Sequence, residues 1–286
     1  MTRPRGVAQG PAALFAGSAY DPTAAGGLVA WQRPNGVALV LRGGAYEPLP
    51  GTHPALGGSR IAWREGDAIV VADAATLARR ERREGTGAGV LAVSDSLLAW
   101  RARDAAGTDR IWIAAPGEPP RPLLEVPAPE EFGRPALAGG RLLTHVAGPL
   151  GSRLIGVDVA TGAQESLRAE PGAQLTNPSS DGALLLYVHA TGRAQELRIG
   201  TLEPLAPADD EVLLVHPSSG RRDREHEPGR RRHQGRRPAL PPRAAPGVVD
   251  TLWTTALAGD AAYFTRLHVQ RGAPRTADIL RVPIAP

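Results

Sequence analysis

The densest run of chemistry-bearing side chains lies between Arg221 and Arg243. There Glu225-His226-Glu227-Pro228-Gly229 precedes Arg230-Arg231-Arg232-His233-Gln234-Gly235-Arg236-Arg237. Guanidinium forks pair with phosphate, sulfate or anionic sugar through charge-assisted hydrogen bonds, so Arg230, Arg231, Arg232, Arg236 and Arg237 are candidate contacts for an anionic ligand. The competing reading is a solvated, disordered insertion, favoured by Pro238, Pro241, Pro242 and Pro246 and by the lack of an apolar anchor. An anion held there is expected to bind weakly. No aromatic is interleaved for base stacking, so the nucleic-acid signal is weak.

Other reactive groups form no recognised set. His226 and His233, with Glu225 or Glu227, match neither a helical His-Glu-x-x-His site nor an EF-hand loop. His53, His145, His189, His216 and His268 are scattered, and no metal or cofactor is expected. The chain has no Cys, which removes disulfides, thiolate catalysis and Cys-based metal sites. It has no Gly-x-Ser-x-Gly elbow, no P-loop and no dinucleotide fingerprint. Acidic pairs such as Asp209-Asp210 are expected by chance. Paired carboxylates for glycoside chemistry would have to converge from distant segments.

Composition limits the scaffold that must carry these groups. Of 286 residues, 42% are hydrophobic but only 4% aromatic, so the core is built from Leu, Val, Ile and Ala. The 34 Gly and 28 Pro follow no three-residue period, which fits many short strands joined by many turns. All 33 basic residues are Arg, a usage that codon bias explains as well as selection does. The stretch Arg221–Arg237, where eight Arg face Asp223, Glu225 and Glu227, more than accounts for the formal charge of +4, and the remainder is slightly negative. No general affinity for nucleic acid or membrane follows. No apolar run is long enough for a membrane helix. Residues 1–11 are expected to be a flexible amino terminus. Gly6-Val7-Ala8 before Gln9 has the character of a signal-cleavage region, although no apolar segment precedes it.

The elements that position everything else come from a repeat. A small or turn-forming segment followed by a short apolar strand recurs at Ala24–Trp31, Ala55–Trp63, Val93–Trp100, Ala136–His145, Ser179–Tyr187 and Ala256–Tyr263. A second strand follows each copy, at Val37–Leu41, Ala68–Ala72, Arg110–Ala114, Arg153–Val159, Glu196–Ile199 and Asp278–Val282. Third strands follow in most units, as at Pro122–Val126 and Glu165–Arg168; Asp73–Arg83 has some helical character but occupies a third-strand slot. Pro34-Asn35-Gly36 and Glu65-Gly66-Asp67 read as hairpin turns. Units this small cannot bury their faces alone, and radial stacking leaves only short edges. The sequence therefore predicts an all-β fold, a six-bladed β-propeller over residues 12–286 with an Arg/Pro-rich insertion at 218–246. The interval from Gly182 to Asp260 is twice the usual spacing, and it contains the strand-like Val212–His216. That stretch is read as the outer strand of the fifth blade; the alternative is a seventh blade. The final unit lacks a fourth strand, which residues Ala12–Ala16 are placed to supply, closing the ring by pairing the two chain ends.

Trp31, Trp63 and Trp100 share one position of consecutive units, with His145, Tyr187 and Tyr263 nearby. Repetition at a fixed position favours rings packed between blades, filling the widening outer wedge, over an aromatic ligand groove. Trp31, Trp63, Trp100, Tyr187 and Tyr263 are accordingly expected to be structural.

The units resemble those of TolB-like, WD40-like propeller repeat proteins, in which a Gly/Asp-rich turn precedes an apolar strand with an aromatic, as in Gly57-Gly58-Ser59-Arg60-Ile61-Ala62-Trp63. Ser179-Ser180-Asp181-Gly182 is the nearest match to the family's Ser-Pro-Asp-Gly turn, while the Gly-His and Trp-Asp pairs of true WD40 blades are absent. The resemblance implies a secreted or periplasmic protein that acts through binding. The expected function is a non-catalytic binding or interaction module, monomeric, with a protein or peptide as partner. Two alternatives stand beside it: an exported glycan hydrolase or lyase, and a structural component of a cell-envelope assembly.

Overall fold

The computed structural model describes residues 12–15, 19–33, 35–192, 194–217, 248–270 and 276–284. The chain first forms a short strand, β1 (Ala12–Phe15). Blade one follows as β2 (Tyr20–Ala25), β3 (Leu28–Gln32), β4 (Ala38–Arg42) and β5 (Ala45–Leu49). Blade two is β6 (Thr52–Gly57), β7 (Arg60–Glu65), β8 (Ala68–Asp73) and β9 (Arg79–Glu84). Blade three is β10 (Ala88–Val93), β11 (Leu98–Arg103), β12 (Asp109–Ala114) and β13 (Arg121–Val126). In blade four the inner strand is split into β14 (Glu131–Phe132) and β15 (Ala136–Ala138), followed by β16 (Arg141–Gly148), β17 (Gly151–Asp158) and β18 (Gln164–Ala169). Blade five is β19 (Gln174–Ser180), β20 (Leu184–Thr191), β21 (Ala194–Thr201) and β22 (Glu211–Pro217). Blade six is β23 (Val248–Ala258), β24 (Ala261–Gln270) and β25 (Thr276–Pro283).

Each blade is an antiparallel sheet in chain order, and β1 lies beside β25 with Ala12 opposite Arg281 and Ala13 opposite Leu280. The first strand of each blade is innermost. β2, β6, β10, β15, β19 and β23 touch in succession, and β23 meets β2 again. The protein is a six-bladed β-propeller, with no α-helix among the described residues.

Local chemistry explains the strands. The middle strands are covered on both sides by neighbouring blades and so read as continuous apolar runs; Ile69, Val70, Val71 and Ala72 of β8 are fully buried. The outer strands meet water and are blunted by charge, as in β9, where Arg79 and Arg82 pair with Glu65. The first hairpin turns on Gly26 and Gly27, whose φ of 56° and 78° suit a two-residue turn that side chains disfavour. Asp73–Arg83 yields a turn and then β9, with no helix.

The core is a set of inter-blade layers. Trp31 packs with Ala19 and Ile279 between blades six and one, Trp63 with Val40 between one and two, and Trp100 with Ile69 between two and three. Tyr187 packs with Leu143 and Leu154 between blades four and five. Each of these rings is the fourth residue after the first hairpin turn, where Thr144 and Phe264 stand in blades four and six. His145 and Tyr263 are therefore one residue out of step. Tyr263 instead packs on the opposite side of its strand, against the layer between blades six and one. The rings belong to the second strand from the axis. They sit in the inner half of each interface; farther out, apolar residues such as Leu124, Leu167 and Leu214 are joined by charged and hydrogen-bonded groups.

One such group closes blades four and five. Arg168 of β18 is 1% exposed, and its Nε and Nη2 meet both oxygens of Asp210 at 2.5 and 2.8 Å. Tyr187 Oη donates to the same carboxylate at 2.7 Å. Gly200 is required beside it, since a Cβ there would lie 1.7 Å from Asp210 Oδ1.

Candidate functional site: the mouth of the central channel

Every inner strand is irregular at the same level. The register shifts between Tyr20 and Thr23, Thr52 and Ala55, Ala88 and Leu91, Thr176 and Ser179, and Leu252 and Thr255. In blade four the break between β14 and β15 takes this place. A bulge turns residues out of the ladder and re-aims them. Asp21, His53 and Asn177 adopt φ of 55°, 52° and 52° at these points, a region that Asp, Asn and His tolerate better than other side chains. Pro22, Pro54 and Pro178 follow them directly, on the innermost strand where no neighbour needs the missing N–H.

The six inner strands are stitched from blade to blade. Gln32 Oε1 accepts from His53 N–H at 2.7 Å, and Arg64 donates to the Ala88 carbonyl at 2.8 Å. Asp109, fully buried and held by Arg101 Nε, accepts from Phe132 N–H at 2.9 Å. His145 Nδ1 accepts from Asn177 N–H at 3.1 Å, and Gln195 Oε1 from Leu252 N–H at 2.7 Å. Ala19 N–H donates to the Ala277 carbonyl at 3.1 Å. Further bonds tie blades five and six: Asn177 Nδ2 donates to the Trp253 carbonyl at 3.0 Å, and Ser179 Oγ lies 3.0 Å from Thr255 Oγ1. These bonds give backbone groups of the tier partners on the neighbouring blade.

Three side chains give the mouth its character. Arg134 leaves the gap in blade four and crosses the channel, its Nη1 3.3 Å from the Pro22 carbonyl and its Nη2 3.5 Å from the Pro54 carbonyl. Burial lowers its pKa, and Asp21 acts in the opposite sense. Trp253, 49% exposed, stands at the bulge of blade six. His53 is held low by burial, with Arg64 and Arg134 adding to the effect and Asp21 opposing it. His145, beneath the tier, is pushed down to about 4 by burial, with Arg101 adding to the effect and Glu131 opposing it.

Below the tier lies a cavity of about 60 Å³ to which all six blades contribute, including Thr23, Ala55, Leu91, Arg134, Ser179 and Thr255. Among the described residues, Arg134 is the one charged side chain that lines it. Among the described residues no three His, Cys, Asp or Glu converge as metal ligands. The paired carboxylates that glycoside cleavage needs are not in this lining.

Arg230, Arg231, Arg232, Arg236 and Arg237 lie outside the described residues. The bounding strands, β22 ending at Pro217 and β23 beginning at Val248, bring the chain out and back on the mouth side, since β23 runs from Val248 through its bulge to Ala258. The mouth residues were not singled out from sequence. Their signal was a second repeat: Asp21-Pro22-Thr23, His53-Pro54-Ala55, Arg134-Pro135-Ala136 and Asn177-Pro178-Ser179.

No protein-family model and no curated protein matches the sequence. The fold has solved counterparts. The uncomplexed acylaminoacyl peptidase of Pyrococcus horikoshii superposes with a TM-score of 0.55 at 13% identity, over 95% of this chain and 46% of that one. The β-propeller domain of the Trilobed protease from Pyrococcus furiosus gives 0.52 at 15% identity, over 95% of this chain and 86% of that one. TolB from Acinetobacter baumannii gives 0.52 at 13% identity, over 94% and 65%. The chain spans under half the length of the acylaminoacyl peptidase and about two thirds of TolB. It is a six-bladed β-propeller domain that resembles, in fold, TolB and the propeller portions of larger peptidases.

Proposed function

We propose that this propeller is a non-catalytic binding module whose docking site is the channel mouth, and that its partner is a protein or peptide. One observation carries the reading: the bulges bring Asp21, His53, Arg134, Asn177 and Trp253 from five different blades to one tier. A preorganised rim with an exposed Trp and an Arg has the composition of an interface hot spot. The pairing of β1 with β25 is read as the closure that holds this ring together, and Trp31, Trp63, Trp100, Tyr187 and Tyr263 as its packing residues. By analogy with TolB the protein works outside the cytoplasm, as a monomer, in the periplasm or beyond it. The Arg-rich insertion adds a weak, salt-sensitive attraction for anionic partners.

The test is a displayed peptide library panned against the protein, with Trp253→Ala as the counter-screen. Peptides that bind the protein and lose binding to Trp253→Ala support the mouth as the docking site. Peptides that bind both proteins equally, or a library that yields none, contradict it.

A further inference from the structure

Arg168 is buried and Arg134 partly buried, and their bonding differs in kind. Arg168 uses all five N–H groups that a guanidinium has. Nε meets Asp210, Nη1 the carbonyls of Leu167 and Glu203, and Nη2 the Thr201 carbonyl and Asp210, at 2.5 to 2.8 Å. That is a structural arginine, satisfied and neutralised. Arg134 makes two contacts, both to carbonyls and both longer than the usual N–H···O range. It has no ion pair with a carboxylate among the described residues. Three of its N–H groups have no partner among the described residues.

Asp21 acts on Arg134 without an ion pair among the described residues, and a partly desolvated cation favours an anion that completes it. The guanidinium lies beside the carbonyls of Pro22 and Pro54, on two other blades, and its planar fork suits a carboxylate in the bidentate manner. Around it the lining is small and neutral, with hydroxyls on Thr23, Ser179 and Thr255. A cavity of about 60 Å³ admits the end of a chain and excludes a folded element or a bulky ring. Resting on the mouth as docking site, we propose that Arg134 anchors the terminal carboxylate of an extended peptide that enters the channel.

The probe is the tripeptide Ala-Ala-Ala, with a free carboxylate or as its amide, and acetate, each titrated to about 10 mM, a range suited to weak binding. Binding is read by calorimetry and by the ¹⁵N shift of Arg134 Nε. The free-acid tripeptide should bind and move Nε, and the amide should bind at least about tenfold more weakly. Arg134→Gln should abolish the difference, and Arg134→Lys, which keeps the charge but loses the fork, should fall between. If Arg134→Gln does not fold, the acid–amide contrast and the Nε shift of the unaltered protein still decide. Equal binding of acid and amide, no binding of the acid, or acid binding that survives Arg134→Gln overturns the proposal. Acetate that binds as tightly as the tripeptide reduces the site to a small-anion site and overturns the peptide assignment. Display-selected peptides that still depend on Trp253 while the tripeptide fails would remove this proposal alone; failure of both would remove the docking site as well.

Discussion

The imidazole of His145 occupies the space that a side chain at Gly133 would need: a Cβ there would lie 1.7 Å from His145 Cε1 and 2.0 Å from Nδ1. Gly133 N–H also donates to the His145 carbonyl at 2.8 Å, so neither residue can retreat without breaking the edge of blade four. Gly133→Ala should destabilise the protein by about 1–3 kcal/mol, the usual cost of forcing extra atoms into a packed site. Adding His145→Ala should restore part of that loss, a non-additivity expected of residues in contact. Urea midpoints of the two single variants and the double variant measure it.

His145 makes stability depend on pH with a definite sign. Burial, reinforced by Arg101 and opposed by Glu131, places its pKa near 4 against an ordinary 6.5. Its Nδ1 is also the acceptor for Asn177 N–H, which protonation there would break. Below pH 6.5 the unfolded chain takes up a proton that the folded one refuses. The contribution is therefore complete above about pH 6.5 and is lost as pH falls toward 4, to a maximum of about 3 kcal/mol. His145→Gln keeps an acceptor and should flatten the unaltered protein's slope across this window, as followed by denaturant unfolding at several pH values.

Two tryptophans should separate stability from binding. Trp63, 2% exposed between blades one and two, should cost about 3–5 kcal/mol on replacement by Ala. Trp253, half exposed at the rim, should change stability by no more than about 0.5 kcal/mol yet weaken a mouth-selected peptide by about 2 kcal/mol or more. Thermal melts and binding titrations on both variants report the two quantities. A Trp63→Ala protein that is fully stable but cannot bind would reverse these roles.

Asp210 should be the costliest single outer-edge position. Removing its carboxylate strands Arg168 in a buried site, and Asp210→Ala should lose about 3–5 kcal/mol. Tyr187→Phe, which deletes one hydrogen bond to the same carboxylate, should lose about 1 kcal/mol. Chemical denaturation of the two variants checks the ratio.

The hairpins and the blade count were legible because their causes are local. Paired glycines such as Gly26-Gly27 force a tight turn, and the apolar run after each has only one way to be covered. Val212–His216 was readable as an outer strand on the same ground, and it forms β22. The inner strands were hidden because Pro22, Pro54 and Pro178 look like strand breakers, when in fact they sit in bulges on an edge that faces the channel. The fourth-residue rule was blurred in blades four and six by His145 and Tyr263, aromatic neighbours of the true positions Thr144 and Phe264. The repeat Arg134-Pro135-Ala136 marks the position of Arg134 but not its contacts, because the carbonyls it meets lie 112 and 80 residues away along the chain.

The most direct test of the channel mouth as the working site is hydrogen–deuterium exchange of the whole chain, with and without a display-selected peptide. The account predicts that protection rises together in residues 20–23, 52–55, 132–136, 176–179 and 252–255, segments far apart in sequence that meet only at the tier of bulges. Protection confined to outer strands such as β9 or β22, with those five segments unchanged, would contradict it.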